Sequence, residues 1–274
     1  MRCVHTSAGN RWRSGLRRPD GSLPERARSL ETEREFWRRR VQAGLPPPDD
    51  YAVPVLAALL ELAEAAGVSS VLEIGPGWGN YTLPLCRRFD RVACVDLSPD
   101  NLRWLSRAAE AEGLRLETVC APWETAEASP CDLVFGYNCL YRLTEPELFL
   151  RKMNASAARL CVIGMNRPPE LPWLPALEAA GLKVHYTRQG CEDLAGVLEE
   201  LGIRARLVDI PNVRDYRYPD RQSLLRRAEQ FLADPCPEDM LWELLAPFHH
   251  REAGSWVCRY PFRSQLLVWE PVLS

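Results

Sequence analysis

The chain has 274 residues, of which 46% are hydrophobic, and a formal net charge of −3 at pH 7. This size and composition suffice to bury a full core, and they predict one large domain with additions rather than two independent domains. The net charge gives no global attraction to nucleic acid or to an anionic membrane, and no apolar stretch approaches the roughly 18 residues of a membrane span.

The ten cysteines are scattered along the chain, and none forms a Cys-x-x-Cys pair. Many of them fall in apolar, strand-like runs. We therefore expect buried thiols rather than disulfides, in a protein of the reducing cytoplasm.

Residues 1–28 differ in composition from the rest of the chain. Their arginines are set among Ser, Gly and Pro with few apolar residues: Arg2, Arg11, Arg13, Arg17, Arg18, Arg26 and Arg28. Because such a segment buries too little apolar surface to order itself, it is predicted to be a basic, disordered arm. An incorrectly assigned start codon would give the same composition, and an organelle transit peptide is a weaker alternative.

The next segment has two helical patterns separated by prolines. Residues 31–40 place acidic side chains in the first turn and arginines in the last, which suits the helix dipole, with Phe36 and Trp37 as apolar anchors. The prolines at 46–48 then break the chain, and residues 53–66 are predicted to form a buried helix.

Beyond residue 67, apolar runs alternate with helical patterns, which predicts parallel strands joined by crossover helices. The first five predicted strands are 70–74, 91–96, 115–120, 132–137 and 160–165. The helices predicted between them are 80–89, 99–112 and 145–154. The last third is predicted to contain a helix at 192–201, a strand at 204–210, helices near 221–232 and 238–248, and a final strand or hairpin at 256–269.

The most informative segment runs from Val71 to Leu85, where an apolar strand leads into three alternate glycines, Gly75, Gly77 and Gly79. Without a Cβ, the backbone can turn sharply and a cofactor can lie against the main chain. The amides that open the following helix would line the same pocket. The dinucleotide-binding fingerprint is Gly-x-Gly-x-x-Gly, so the third glycine here comes one residue early.

Two acidic residues complete this pattern. Glu73 lies two positions before the first glycine, and Asp96 ends the next apolar run, where its carboxylate could accept hydrogen bonds from both hydroxyls of a ribose. An acidic residue, x, then Gly-x-Gly-x-Gly resembles the first motif of the class I S-adenosylmethionine-dependent methyltransferases. The alternative is a glycine-rich turn that serves only strand-to-helix packing.

This resemblance implies an α/β fold with a mostly parallel seven-stranded sheet, helices on both faces and an antiparallel last strand. It also implies N-terminal helices that cover the mouth of the cofactor site, although helix 53–66 could equally pack on the sheet alone. The predicted organisation is a basic arm in residues 1–28, a helical cover in 29–66 and a Rossmann-like methyltransferase domain in 67–274.

The cofactor that the resemblance implies is S-adenosyl-L-methionine, bound outside the carboxyl ends of the strands. After the third strand, Trp123 and Glu124 lie where the family packs residues around the adenine, with Trp123 against the ring and Glu124 near the exocyclic amine. The alternative is that Trp123 fills a structural gap. The predicted cofactor-binding residues are Glu73, Gly75, Pro76, Gly77, Gly79, Asn80, Asp96, Leu97, Trp123 and Glu124. No metal ligand is predicted.

The segment after the fourth predicted strand resembles the family segment that runs past the methyl donor, so Tyr137, Asn138 and Tyr141 are candidates for acceptor contact. The plainer alternatives are an asparagine that caps the next turn and a tyrosine in the core. Amide and adenine N-methyltransferases carry Asp or Asn, two prolines and an aromatic residue here, whereas residues 137–140 read Tyr-Asn-Cys-Leu. We therefore expect a small-molecule acceptor, with no membrane partner and nucleic acid not expected.

Other segments offer further acceptor contacts. The proline-rich loop 166–175, with Trp173, is either a wall over the acceptor or a rigid connector. Tyr216 and Tyr218 either line an acceptor pocket or edge the sheet. His249 and its neighbour His250 are available if a base is required, although a capping or surface role suits their position near a helix end better.

The predicted function is S-adenosylmethionine-dependent methyl transfer to a small-molecule acceptor. The main alternative is a methyltransferase-like binding protein without turnover, which acts through a partner surface. A nicotinamide-dependent oxidoreductase is disfavoured by the early third glycine, and the basic arm leaves weak nucleic-acid contact as a further alternative.

Overall fold

The computed structural model describes residues 5–17, 21–44, 49, 51–167, 171–185 and 189–272. The helices are α1 (Ser7–Gly15), α2 (Glu25–Arg28), α3 (Leu30–Gln42), α4 (Ala52–Ala65), α5 (Thr82–Arg88), α6 (Pro99–Ala111), α7 (Pro146–Ser156), α8 (Leu174–Ala179), α9 (Cys191–Glu200), α10 (Arg221–Glu229) and α11 (Glu238–Leu245). The strands are β1 (Ser70–Ile74), β2 (Arg91–Asp96), β3 (Glu117–Cys120), β4 (Cys131–Tyr137), β5 (Ala157–Asn166), β6 (Arg206–Tyr218), β7 (His250–Glu252) and β8 (Ser255–Trp269).

The strands form one sheet in the order β3-β2-β1-β4-β5-β8-β6, with the short strand β7 paired to β8. The first five strands pair in parallel, and β7 pairs with β8 antiparallel. The strand order reverses between β1 and β4, and ligands of such sheets bind at this switch point, outside the carboxyl ends of the strands. The predicted α/β fold with a mostly parallel sheet and an antiparallel last strand is confirmed. The sheet has eight strands in the described part of the chain, whereas seven were predicted, because the short strand β7 adds to β8.

Local sequence explains the helices that surround the switch point. Helix α6 begins after Ser98, whose side chain accepts a hydrogen bond from the backbone N–H of Asn101, and Pro99 occupies the first turn, where its missing N–H costs nothing. Its apolar residues Leu102 and Leu105 are buried at helical spacing. This cap fixes where β2 ends and therefore where Asp96 lies.

The chain divides into two compact units. The first contains Met1–Met165, Gln189–Ile210 and Ser264–Ser274, and the second contains Asn166–Arg188 and Pro211–Arg263. Each unit has its own cluster of buried apolar side chains. The domain boundaries stated from the sequence, with a cover in 29–66 and one domain in 67–274, remain a prediction.

The prediction of a disordered arm over residues 1–28 is wrong for its described part, because residues 7–15 form helix α1. Trp12 is buried, and its indole Nε1 donates to the carbonyl oxygen of Leu143 at 2.8 Å. The buried carboxylate of Glu147 accepts hydrogen bonds from the N–H and hydroxyl of Thr6. The apolar spacing Ala8, Trp12, Leu16 was the signal for this helix, and the arginine-rich composition concealed it.

The last third differs from the prediction in the length of its elements. Strand β6 continues to Tyr218, whereas a strand that ends at residue 210 was expected. Helix α8 forms in the proline-rich segment after β5, and Pro168, Pro169 and Glu170 lie outside the described residues. Among the described residues, no helix is long and apolar enough to cross a membrane.

Candidate active site

The glycine loop after β1 adopts a backbone that requires glycine. Gly75, Gly77 and Gly79 all have positive φ, at 63°, 53° and 75°. A Cβ on Gly75 would lie 2.6 Å from the Cβ of Cys139, and one on Gly79 would lie 2.5 Å from a methyl group of Leu105. Because both approaches are too close for a side chain, the loop can run against its neighbours only with glycine at these positions.

A cavity of about 410 Å³ opens above this loop, at the carboxyl ends of the strands of the first unit. That volume lies within the range of small-molecule and cofactor sites. Nine of the ten residues predicted to bind the cofactor line it: Glu73, Gly75, Pro76, Gly77, Asn80, Asp96, Leu97, Trp123 and Glu124. Gly79 is not among the lining residues, and the structure places it against α6 instead.

Two buried carboxyl groups lie at the base of the cavity. Burial raises the pKa of the Asp96 carboxyl to about 6, although the backbone N–H groups of Ser98 and Gly77 donate to it. The Ser98 amide lies 2.7 Å from Oδ1. Burial likewise raises the pKa of Glu73 to about 7, while the Thr82 hydroxyl donates to its Oε2 at 2.6 Å. At neutral pH, Asp96 is therefore largely ionised and offers its remaining lone pairs to the cavity.

Trp123 and Glu124 follow β3 on a short helical turn. The Trp123 ring is buried and packs edge-on against Phe149, and its indole N–H donates to the Phe149 carbonyl at 3.3 Å. The ammonium group of Lys152 lies over the ring and donates to the carbonyl oxygen of Trp123 at 2.6 Å. These contacts fix the indole as one rigid wall of the cavity.

The three acceptor candidates lie at the end of β4 and just beyond it, and all line the cavity. Asn138 has a positive φ of 52°, and its backbone N–H donates to the Gly164 carbonyl at 2.9 Å. Its side-chain amide donates to the Tyr51 hydroxyl at 3.2 Å. Tyr137 packs against the Tyr51 ring with centroids 5.7 Å apart. The structure thus holds this segment by hydrogen bonds and ring contacts on both sides.

The sequence after β4 can be compared with the amine-binding motif from Asn138 instead of from Tyr137. Counted from Asn138, the segment reads Asn-Cys-Leu-Tyr, with an asparagine first and an aromatic residue fourth. Asn138 and Tyr141 both line the cavity, and Cys139 and Leu140 stand where the motif has prolines. When the comparison starts at Tyr137, one residue earlier, Asn138 and Tyr141 do not fall on the asparagine and aromatic positions of the motif.

Residues of the N-terminal segment complete the cavity. Trp37 of α3 packs edge-on against Trp78 of the glycine loop with centroids 4.9 Å apart, and Arg34 Nε donates to the Leu97 carbonyl at 2.9 Å. Glu33 of the same helix is fully buried. The sequence indicated Trp37 as an anchor of this helix, but it gave no signal that separates Glu33 from the other acidic residues of α3.

Several residues considered from the sequence do not line this cavity. Trp173 is buried in the core of the second unit, where its ring packs against Phe231. Tyr218 packs against the imidazole of His249, whose Nδ1 lies 2.8 Å from the Leu245 carbonyl. Burial lowers the pKa of His249. Trp173 is therefore a core residue, and His249 has the structural role expected of a histidine near a helix end.

Comparison with known proteins agrees with this geometry. Residues 71–161 match the family described as Methyltransferase domain. The structure resembles the crystal structure of a putative methyltransferase from Bacillus halodurans C-125, with a TM-score of 0.57, 18% identity, and coverage of 80% of this chain and 99% of that chain. Over residues 71–161, the match confirms the predicted resemblance to the class I methyltransferases, a class whose methyl donor is S-adenosylmethionine.

Two curated relatives match over a shorter segment. The chain is 44% identical over 89 residues to a probable ribosomal RNA small subunit methyltransferase A of Aeropyrum pernix, which covers 32% of this chain and 31% of the relative. It is 32% identical over 97 residues to the ribosomal RNA small subunit methyltransferase A of Dichelobacter nodosus, which covers 35% of this chain and 37% of that protein. The chain thus spans about a third of the length of these relatives.

These relatives correct the predicted partner. A small-molecule acceptor, with nucleic acid not expected, was predicted from the net charge and from the missing prolines, and this prediction is wrong because both relatives are named for ribosomal RNA. The physical reason is that net charge describes the whole chain, whereas a nucleic acid is contacted by local groups. The missing prolines exclude the complete amine-binding motif. They leave its first and last positions, an asparagine and an aromatic residue, which Asn138 and Tyr141 supply.

Proposed function

We propose that this chain binds S-adenosylmethionine in the described cavity and transfers its methyl group to RNA. One observation carries the proposal. A single cavity of the first unit joins the glycine loop, Asp96 and Trp123 with Asn138 and Tyr141. The glycine loop, Asp96 and Trp123 offer contacts for a nucleoside cofactor. Asn138 and Tyr141 offer a polar group and an aromatic ring for a planar acceptor that carries an amine.

The residues of the cavity fit the cofactor. The ionised Asp96 carboxylate can accept from the hydroxyls of the ribose, and the Trp123 indole presents an apolar wall to the adenine. The Tyr81 hydroxyl also belongs to this cavity, is buried, and has no hydrogen-bond partner within the described part of the chain. It is therefore a ready donor for a polar group such as the carboxylate of the cofactor.

The bound cofactor would supply an electrophilic methyl group on a sulfonium sulfur, a reaction that depends on an aligned nucleophile more than on acid or base. The protein's part is then to orient the acceptor. Asn138 is held by Tyr51 and by the carbonyl of Gly164, so the cavity presents it in a fixed position. Beside Asn138, Tyr141 offers an aromatic face and a hydroxyl group to the acceptor.

Local charge supports a nucleic-acid acceptor in spite of the negative net charge. The exposed end of α3 carries Arg38, Arg39 and Arg40. The guanidinium of Arg40 lies over the rings of Phe36 and Trp78, and it has no acidic partner among the residues that the structure describes. Such a cation at the rim of the cavity can contact a phosphate of the RNA backbone.

The test is transfer of labelled methyl groups from S-adenosylmethionine to unmodified small-subunit ribosomal RNA by the full chain, followed by digestion to nucleosides. The expected result is label in a base, with a rate that falls at least tenfold in Asn138→Ala. Asn154→Ala is the matched control, because Asn154 bonds the backbone of Val272 at the surface. Label that does not enter RNA would contradict the proposal.

A further inference from the structure

Glu33 is a fully buried carboxylate on the cover helix α3, and the motifs of the sequence assign it no role. Arg26 pairs with it in a two-pronged contact: Nε lies 2.7 Å from Oε2 and Nη2 lies 2.9 Å from Oε1. Nη1 of Arg142 lies 3.9 Å from the same Oε2. A buried carboxylate is retained only when such partners compensate its charge, so the site around Glu33 is built to keep that charge.

The same carboxylate reaches the acceptor wall of the cavity. Its Oε1 accepts from the indole Nε1 of Trp37 at 2.7 Å and from the hydroxyl of Tyr141. Trp37 and Tyr141 both line the cavity, from α3 and from the segment after β4 respectively. Glu33 therefore joins two segments that are 108 positions apart along the chain.

The charge states of Glu33 and Tyr141 fix the direction of the hydrogen bond between them. Burial alone would raise the pKa of Glu33, but hydrogen bonds from Arg26 and Tyr141 outweigh it and hold the pKa below its usual value. Burial and the negative charge of Glu33 raise the pKa of the Tyr141 phenol. The carboxylate is thus ionised and the phenol protonated at neutral pH, and the phenol O–H donates a hydrogen bond to Glu33.

A phenol whose proton is committed to a carboxylate presents its oxygen to other groups as an acceptor. The ring of Tyr141 is held as well, because the guanidinium of Arg26 lies 4.9 Å from its centroid and 3.4 Å from that of Phe36. The ring plane and the hydroxyl direction are both set by residues of the N-terminal segment. An amino N–H of a base in the cavity would meet a fixed acceptor oxygen.

We propose that Glu33 is a positioning residue that acts through Tyr141: it commits the phenol proton, so that the phenol oxygen accepts a hydrogen bond from the amino group of the acceptor base. This inference rests on the proposed function and adds to it the requirement for an N–H-bearing acceptor. Glu33 itself is not among the residues that line the cavity.

A double-mutant cycle with Glu33→Gln and Tyr141→Phe tests this role in the full chain. Glutamine has nearly the same shape, but its amide can donate to the phenol and so occupy the oxygen that the acceptor needs. We expect each single variant to lower kcat for methyl transfer to RNA about tenfold, and the double variant to be no slower than either single one. The Kd for S-adenosylhomocysteine should stay within about twofold of the wild-type value.

Glu35→Gln is the matched control on the same helix, because Glu35 pairs with Arg38 and Arg39 at the surface. It should leave kcat unchanged. Multiplicative losses in the double variant would overturn the proposal, as would a loss of cofactor binding in Glu33→Gln equal to its loss of kcat. The second result would show a general structural role for Glu33.

The phenol proton of Tyr141 gives a readout that needs no turnover. Its NMR resonance, assigned by its absence in Tyr141→Phe, should be shifted downfield and exchange slowly, and it should be lost in Glu33→Gln. If the wild-type chain methylates no RNA, the proposed function fails, and this resonance still decides whether Glu33 fixes Tyr141. An unchanged resonance in Glu33→Gln would overturn the positioning role.

Discussion

Most of the cofactor wall of the cavity lies in one stretch of chain from Glu73 to Leu97, and Trp123 and Glu124 complete it after β3. The opposite wall joins α3 to the segment after β4 across 108 positions. In the first wall, glycine spacing and strand ends determine the geometry. In the second wall, a buried carboxylate and its partners determine it. The comparison shows that a site can combine one half set by local sequence with another half set only by tertiary contacts.

The largest effect is expected from a substitution in the glycine loop, which belongs to the wall that local sequence determines. Gly75→Ala places a methyl group 2.6 Å from Cys139 at a positive φ of 63°. Left-handed strain and overpacking together should lower the free energy of unfolding by about 3 kcal/mol. Gly113→Ala is the control, since Gly113 has a φ of 69° with nothing within 4 Å, and it should lose about 1 kcal/mol. Urea denaturation measures both, and equal losses would contradict the account of the loop.

The next largest effect is expected from a substitution beside Glu33, in the wall that tertiary contacts determine. Arg26→Ala removes two hydrogen bonds from the buried Glu33 carboxylate, and it should lower the free energy of unfolding by about 2 kcal/mol. The arginine side chain is 34% exposed, so the loss stays below that of a fully buried pair. Arg39→Ala breaks the surface pair with Glu35, and it should cost less than about 0.5 kcal/mol. A loss in Arg26→Ala no larger than in Arg39→Ala would show that the Glu33 cluster does not hold α3.

A third prediction concerns the contribution of Asp96 to cofactor affinity. Asp96→Asn keeps the shape of the side chain but removes its charge, so the affinity for S-adenosylmethionine should fall about tenfold to thirtyfold, or ~1.4–2 kcal/mol. Calorimetry measures the change. Asp100→Asn is the control, because Asp100 lies in the first turn of α6 and pairs with Arg103. Equal affinities in wild type and Asp96→Asn would remove Asp96 from the site.

The smallest expected effect is a pH dependence. The pKa of Asp96 is raised by burial to about 6, and the ionised carboxylate is a stronger hydrogen-bond acceptor for the two ribose hydroxyls than the protonated acid. Lowering the pH from 7 to 5.5 reduces the ionised fraction about fourfold, so cofactor affinity should fall by up to about fourfold over this interval. Affinity should rise again as the pH is raised through 6. In Asp96→Asn the same interval should produce no such change, and a flat wild-type profile would count against Asp96 as the ribose acceptor.

The two halves also differ in how far the sequence predicts them. The alternation of strands and helices, the glycine spacing and the acid at the end of β2 are local patterns, and they predicted the fold and nine of the cavity's lining residues. Asn138 and Tyr141 were also found, because they follow a strand end. Local patterns suffice there because the carboxyl ends of parallel strands meet at one edge of the sheet.

Glu33 could not be predicted, because its partners Arg26, Trp37 and Tyr141 come together only in the folded chain. Helix α1 is a different case. Its stripe of Ala8, Trp12 and Leu16 was visible in the sequence, but the arginines around it suggested disorder. Composition averages over a segment, whereas burial depends on a few positions on one helix face.

We propose that the glycine loop and Asp96 form a site for S-adenosylmethionine. The most direct measurement is a calorimetric titration of the intact chain with S-adenosylmethionine, S-adenosylhomocysteine and NAD. We expect micromolar binding of the first two ligands, weakened in Asp96→Asn, and no binding of NAD. Binding of NAD alone, or of none of the three, would contradict it.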